Sequence, residues 1–206
     1  PGGLRRYVHL GTGNYNPATA RIYTDLGLLS ANPALADDVS ALFNLLTGDA
    51  DEPRWQRIFC APTGLQEALL ALIRAEEETA RSGRPARIVA QLNGIADAAV
   101  VQALYRAGQA GVEIDLICRG LCILRPGIPG VSDHIRVRSI VGKFLEHERI
   151  FFFEAGGEKK IFLSSADWME RNYRRRVEVV FPVESPPARE RILEEILPAL
   201  LGDNTK

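Results

Sequence analysis

Apolar and polar positions change their period several times along the chain, and each change marks an element. Leu4 to Leu10 alternates like a half-buried strand, entered from a Pro1-Gly2-Gly3 turn. Asn32-Pro33 sets a helix start, with asparagine as N-cap and proline in the first turn, and "ALADDVSALFNLLTG" carries that helix to Gly48. After the polar loop "GDADEPRW", Leu65, Leu69, Leu72 and Ile73 recur at helical spacing, and Gly83 terminates the helix. Arg81 to Pro85 reads as a hinge between two halves.

From Arg87 the pattern becomes strand, helix, strand. "RIVAQLN" is a continuous apolar strand, Asp97 caps a helix through "AAVVQALYRAGQAG", and "VEIDLIC" is the next strand. That succession predicts parallel pairing through a right-handed crossover. It brings Asn93 and Arg119 to the carboxyl ends of neighbouring strands, the edge where open α/β sheets bind ligands. Gly120 lets backbone approach closely there. Beyond the loop "LRPGIPGVSD", strands return as "IRVRSIV" and "RIFFFEA", with "EAGGEKK" as a hairpin turn and "KIFLSS" as the return strand. Antiparallel pairing about Gly156 sets residues whose numbers sum to about 312 side by side. His147, in "FLEHERIFFF", then lies beside Ser164 and Ser165.

One local design occurs twice. "YVHLGTGNYN" and "KIFLSSADWM" each run from a basic or aromatic start through a short apolar strand to a turn of small hydroxyl residues ending in Asn or Asp. This predicts a duplicated α/β lobe with a site at the pseudo-twofold seam. Residues 1–84 form the remainder of the first lobe, and residues 85–206 form the second lobe with a C-terminal helix.

Composition narrows the class. At 206 residues, 46% hydrophobic and 25% charged, the chain is an ordinary globular protein able to bury a core. It has no apolar run long enough to span a membrane. Its start shows neither an initiator Met nor a signal peptide and reads as interior. Three cysteines are too few for a disulfide framework, and Cys118 and Cys122 lack companions at zinc-ligand spacing. The net charge of −1 hides segregation. Between Arg119 and Arg149 stand six bases (Arg119, Arg125, Arg136, Arg138, Lys143, Arg149) against three acids (Asp133, Glu146, Glu148), and "ERNYRRR" adds four arginines. A local basic field on a neutral chain suits a small anion such as phosphate better than a long nucleic acid.

Three segments, "RRYVHLGTGNYNPATARIYTDLGLL", "ALYRAGQAGVEIDLICRGLCILRPGIPGVSDHIRVRSIVGKFLEHERI" and "KKIFLSSADWMERNYRRRVEV", resemble in order the polyphosphate kinase family, built on the phospholipase-D-like fold. The resemblance implies duplicated α/β lobes with mixed sheets flanked by helices. It implies reversible transfer of the terminal phosphate of ATP to polyphosphate through a phosphohistidine, with Mg²⁺ arriving with the nucleotide. ATP, ADP and polyphosphate are then the partners, nucleic acid is not, and a homo-oligomer is admitted. The setting implied is the cytoplasm, with peripheral contact to the inner membrane admitted. The family's nucleophile lies in a His-x-Lys motif that by motif order falls before Pro1. The chain therefore resembles the carboxyl-terminal part, inactive alone, and His9 belongs to a later element.

Tyr23, Arg119 and His147 match family residues that contact nucleotide or phosphate. Their chemistry agrees with that: a tyrosine ring stacks a base, a guanidinium fork grips phosphate oxygens, and an imidazole moves protons near neutral pH. Whether His147 acts as acid, base or charge partner stays open. Gln91-Leu92-Asn93 departs from an expected Lys-x-Asn, which would weaken a phosphate contact there. A phospholipase-D-like phosphodiesterase and a non-catalytic phosphate-binding module are the competing readings.

Overall fold

The computed structural model describes residues 4–49 and 53–203; the expected Pro1-Gly2-Gly3 turn lies outside them. β1 (Val8–Gly11) is shorter than the alternation from Leu4 suggests, because its partner runs out. β2 (Tyr23–Thr24) is followed by β3 (Gly27–Ser30), which pairs antiparallel with β1 from Gly27 to Ser30 and then gives way to a helix cap. Asn32 accepts from the amides of Ala34 and Leu35 to start α1 (Pro33–Thr47), and Gly48 closes it in a left-handed conformation (φ 79°). Buried Asp38 on α1 then accepts the amides of Gln56, Arg57 and Ile58, fastening the helix to the chain ahead of β4 (Phe59–Ala61).

A seven-stranded mixed sheet follows. α2 (Leu65–Arg81), β5 (Arg87–Leu92), α3 (Ala98–Gln109), β6 (Glu113–Cys118), β7 (Ile135–Arg138), β8 (Leu145–Glu146), β9 (Arg149–Phe153), β10 (Lys160–Ser164), α4 (Glu170–Arg175) and β11 (Glu178–Pro182) succeed one another. The spatial order is β4-β11-β10-β9-β5-β6-β7. β5, β6 and β7 run parallel, as the strand–helix–strand pattern requires, while β9, β10 and β11 are antiparallel. Both faces are covered, so the strands read as continuous apolar runs. Side chains still alternate: Ile88, Ala90, Leu92, Phe151 and Phe153 pack under α2 and α3. Val89, Ile150 and Phe152 face the other way, toward Leu35 of α1 and toward the C-terminal helical segment.

That segment comprises α5 (Pro186–Arg191), a π turn at Ile192–Ile196 and α6 (Leu197–Gly202). Pro198 has no N–H to donate into a continuing α pattern. The Leu197 amide reaches instead to the Ile192 carbonyl, a wider turn that carries the helix past the proline.

Two expectations change. β4 pairs with β11, and α2 packs on the same core as α3, so residues 59–81 belong with the large sheet and not with the amino-terminal ribbon. Arg81 to Pro85 links two elements of one sheet system. The hairpin register is also displaced by one: Lys160 faces Phe153, and the ladder ends where Ser164 faces Arg149. The extra residue is taken up in a tight turn with positive φ at Ala155, Gly156, Gly157 and Lys159.

Candidate active site

The site begins where two short strands meet. β2 and β8 pair in parallel, Tyr23 with Leu145 and Thr24 with Glu146, and the His147 amide donates to the Thr24 carbonyl (3.2 Å). This ladder sews the amino-terminal segment to the large sheet. Residues two apart on an extended strand share a face. Tyr23 and Asp25 therefore both reach His147. The Tyr23 ring lies 4.7 Å from the imidazole at a 41° tilt, and Asp25 Oδ1 and Oδ2 lie 2.9 and 3.1 Å from Nδ1. A carboxylate only accepts, so the ring proton facing it sits on Nδ1, and Nε2 lies on the side of the Arg149 guanidinium, 3.0 Å from Nη1.

Asp25 is held in turn. The buried Thr12 hydroxyl donates to it (2.7 Å) and accepts from the Leu26 amide (3.0 Å). Gly13 makes the room: a Cβ there would fall 2.0 Å from Asp25 Oδ2. The His147 and Asp25 side chains are 14% and 26% exposed, so the pair faces a seam that solvent reaches.

His147 does not lie beside Ser164 and Ser165. With the register displaced, Arg149 takes the place opposite Ser164, and the Ser-Ser-Ala-Asp turn is bonded without His147. Ser164 Oγ donates to the Ala166 carbonyl and accepts the Ala166 amide, while Ser165 Oγ donates to Glu178. Asp167, the last residue of that turn, binds the Arg149 guanidinium through Nε and Nη2, both at 3.1 Å.

Arg119 stands at the carboxyl end of β6, as expected. Its Nε donates to Asn93 Oδ1 (2.8 Å), and the rest of this exposed fork faces a groove of about 330 Å³ lined by Ile22, Ile140, Lys143 and Phe144. Gly120 is required, because a Cβ there would fall 2.7 Å from the Asn93 carbonyl oxygen. Tyr23 and His147 are thus in contact, while Arg119 borders the adjoining groove. Gln91 is buried, and its amide donates to Glu148 (3.0 Å), so this position serves the core. Burial, reinforced by Glu146, pushes the Glu148 carboxyl above its ordinary range. Burial likewise pushes the Cys118 thiol up to about 11 and the Cys60 thiol up to about 12, which makes neither a ready nucleophile.

Sequence reasoning missed Asp25, Thr12 and Arg149. Asp25 had a signal, its i+2 spacing from Tyr23. Thr12 and Arg149 meet only through tertiary structure. Among the described residues no group of three His, Cys, Asp or Glu side chains is placed to hold a metal ion, so these residues do not by themselves fit Mg²⁺.

A mixed sheet that brings a His-x-Arg strand start and the turns at Thr12 and at Ser164 to Asp167 to one seam has the phospholipase-D-like fold. The fold agrees with Nuc from Salmonella typhimurium, a phospholipase D family member, at a TM-score of 0.50 and 14% identity over 69% of this chain and 91% of that one. Closer likeness is specific. Residues 58–206 match polyphosphate kinase C-terminal domain 2, and residues 1–52 match polyphosphate kinase C-terminal domain 1. The crystal structure of polyphosphate kinase from Porphyromonas gingivalis superposes at a TM-score of 0.93 with 44% identity, over 100% of this chain and 32% of that one. Polyphosphate kinase of Burkholderia vietnamiensis is 52% identical over 98% of this chain and 29% of its own length. The chain belongs to the polyphosphate kinase family, and it spans about 29% of the length of that relative.

Proposed function

We infer that this chain serves as the carboxyl-terminal part of a polyphosphate kinase, moving the terminal phosphate of ATP reversibly onto polyphosphate. The observation that carries the reading is the Asp25–His147 pair at the junction of β2 and β8, beside the groove that Arg119 borders. Phosphoryl transfer asks mainly for charge neutralisation and positioning. Arg119 lines its groove with its side chain bonded through Nε to Asn93, and supplies the first. Tyr23 packs one side of the imidazole and Asp25 fixes its proton, which supplies the second.

In the forward direction a histidine nitrogen outside these 206 residues forms the N–P bond as the β–γ bridging P–O bond of ATP breaks and ADP leaves. The polyphosphate terminus then takes the phosphoryl group and the N–P bond breaks. His147 Nε2 holds or delivers the proton at the oxygen that changes charge. Mg²⁺ comes with the nucleotide in this reading, and no step runs through it here. The partners are ATP, ADP and polyphosphate, without nucleic acid, and self-association is compatible. No helix among the described residues is long and apolar enough to cross a membrane; a cytoplasmic site of action, at or near the inner membrane, completes the proposal.

The test uses a polypeptide of the relatives' length containing this chain, given ATP, Mg²⁺ and polyphosphate. Polymer growth with ADP release is expected, and His147→Gln lowers turnover by at least about 10²-fold. Phosphodiester hydrolysis without polymer growth, or normal turnover in the folded variant, overturns the reading.

A further inference from the structure

Arg149 occupies the centre of the seam, and four of its five N–H donors face acceptors within the protein. A guanidinium carries one proton on Nε and two on each terminal nitrogen. Nε and Nη2 form a two-point bond with Asp167, 3.1 Å to each carboxylate oxygen. Nη1 donates toward the Thr12 carbonyl at 3.2 Å and the His147 carbonyl at 2.9 Å. The same nitrogen stands 3.0 Å from His147 Nε2 and 3.3 Å from Nδ1. Two carbonyls and two ring nitrogens thus share the two Nη1 protons, so the guanidinium is held against the imidazole as well as the carbonyls. The Arg149 and Asp167 side chains are 8% and 7% exposed.

Arg119 shows the opposite state. It is exposed, bonded through Nε to Asn93, and free to turn its terminal nitrogens to a ligand. Between the two arginines runs a single chain of hydrogen bonds. Asp167 binds Arg149 on one side and the Asn93 backbone amide (2.8 Å) on the other, and the Asn93 side chain holds Arg119.

We propose that Arg149 is a positioning residue, neutralised by Asp167, that clamps the Thr12 and His147 carbonyls together and fixes the imidazole over the seam without binding phosphate. One consequence is that Lys cannot replace it, because a single ammonium cannot hold a carboxylate with two parallel bonds and bridge two carbonyls as well. A second consequence is that the placement of Arg119 depends on the same clamp through Asp167 and Asn93. This inference rests on the reading of His147 as the proton-handling group.

The test compares wild type with Arg149→Lys and with the double replacement Arg149→Met, Asp167→Asn, which leaves no unpaired buried charge. In the longer polypeptide, turnover falls at least about tenfold in both variants while KM for ATP and for polyphosphate stays within about twofold, the pattern of lost transition-state geometry. A tenfold rise in KM at normal turnover makes Arg149 a phosphate ligand and overturns the proposal, as does full activity in Arg149→Lys. Side-chain ¹⁵N shifts of His147, read below the melting temperature, give an independent answer. Wild type shows one tautomer with the proton on Nδ1, and both variants show a mixture. An unchanged single tautomer in both variants sinks the clamp even if His147 proves dispensable for turnover, so failure here and failure of the proposed function are told apart.

Discussion

Replacing Asp25 by Asn tests the site at the bond that sets the His147 tautomer. The side chain keeps its shape and loses its charge. Thr12 Oγ1 gives its only proton to Asp25 Oδ1 at 2.7 Å, so the amide oxygen of the asparagine takes that side. Its NH₂ group then faces His147 Nδ1, which stands 3.1 Å from Oδ2. A donor there turns Nδ1 into an acceptor and moves the ring proton to Nε2, the wrong nitrogen for a base. The corresponding exchange in a serine-protease triad lowers turnover by about 10⁴. The seam here is partly open to solvent, which permits ring rotation and water as a substitute, so a loss of about 10²–10³ is expected. Two decades correspond to about 2.7 kcal/mol of barrier. Stability should fall by less than about 1 kcal/mol, because one partly exposed hydrogen bond is exchanged for another. Steady-state polyphosphate synthesis by the longer polypeptide measures the first effect and thermal melting the second. Turnover within about threefold of wild type, in a folded Asp25→Asn protein, refutes the tautomer argument.

Two further outcomes follow from neighbouring groups. Glu148 is buried, and its carboxyl sits above the usual 4.5; its neutral form is therefore favoured by folding, and the stability it lends below the unfolded value is lost as pH rises through the folded value. Glu148→Gln should flatten that decline and melt higher than wild type at pH 8, with the gap closing toward pH 5; identical slopes in the two proteins overturn this. Arg119→Ala should weaken ATP binding by about 1.5–3 kcal/mol, with Lys restoring only part. Unchanged calorimetric affinity in both variants makes Arg119 structural.

Much of the fold was legible because local chemistry and tertiary packing agree. The Asn32-Pro33 start and Gly48 stop of α1 follow from capping alone, and the Asp97 cap of α3 does too. The strand–helix–strand unit placed Arg119 at a ligand-binding edge without reference to any partner. A hairpin symmetric about Gly156 is one residue out of register, because the turn spreads positive φ over four residues. That single step exchanged the neighbours of His147. Strand alternation makes such slips costly to inference, since each one turns a side chain to the other face. β4 was not legible for a different reason: three apolar residues after a polar loop carry no sign of which sheet will accept them.

The two acid–base pairs at the seam have opposite surroundings, and this divides their work. Arg149 and Asp167 are buried, and removing either leaves an uncompensated charge inside the protein, a loss of about 3–5 kcal/mol. That pair also ties Thr12 of the amino-terminal segment to the strand start at His147, so the seam and the fold stand or fall together. Asp25 and His147 are partly open and contribute little to stability. A proton-transfer group held only by exposed contacts would wander, and one held only by buried charges would be closed to substrate. Placing the open pair directly against the closed one meets both requirements. It also explains why residues 12, 25, 93, 119, 147, 149 and 167, scattered along the chain, form one hydrogen-bonded site only after β2 has paired with β8.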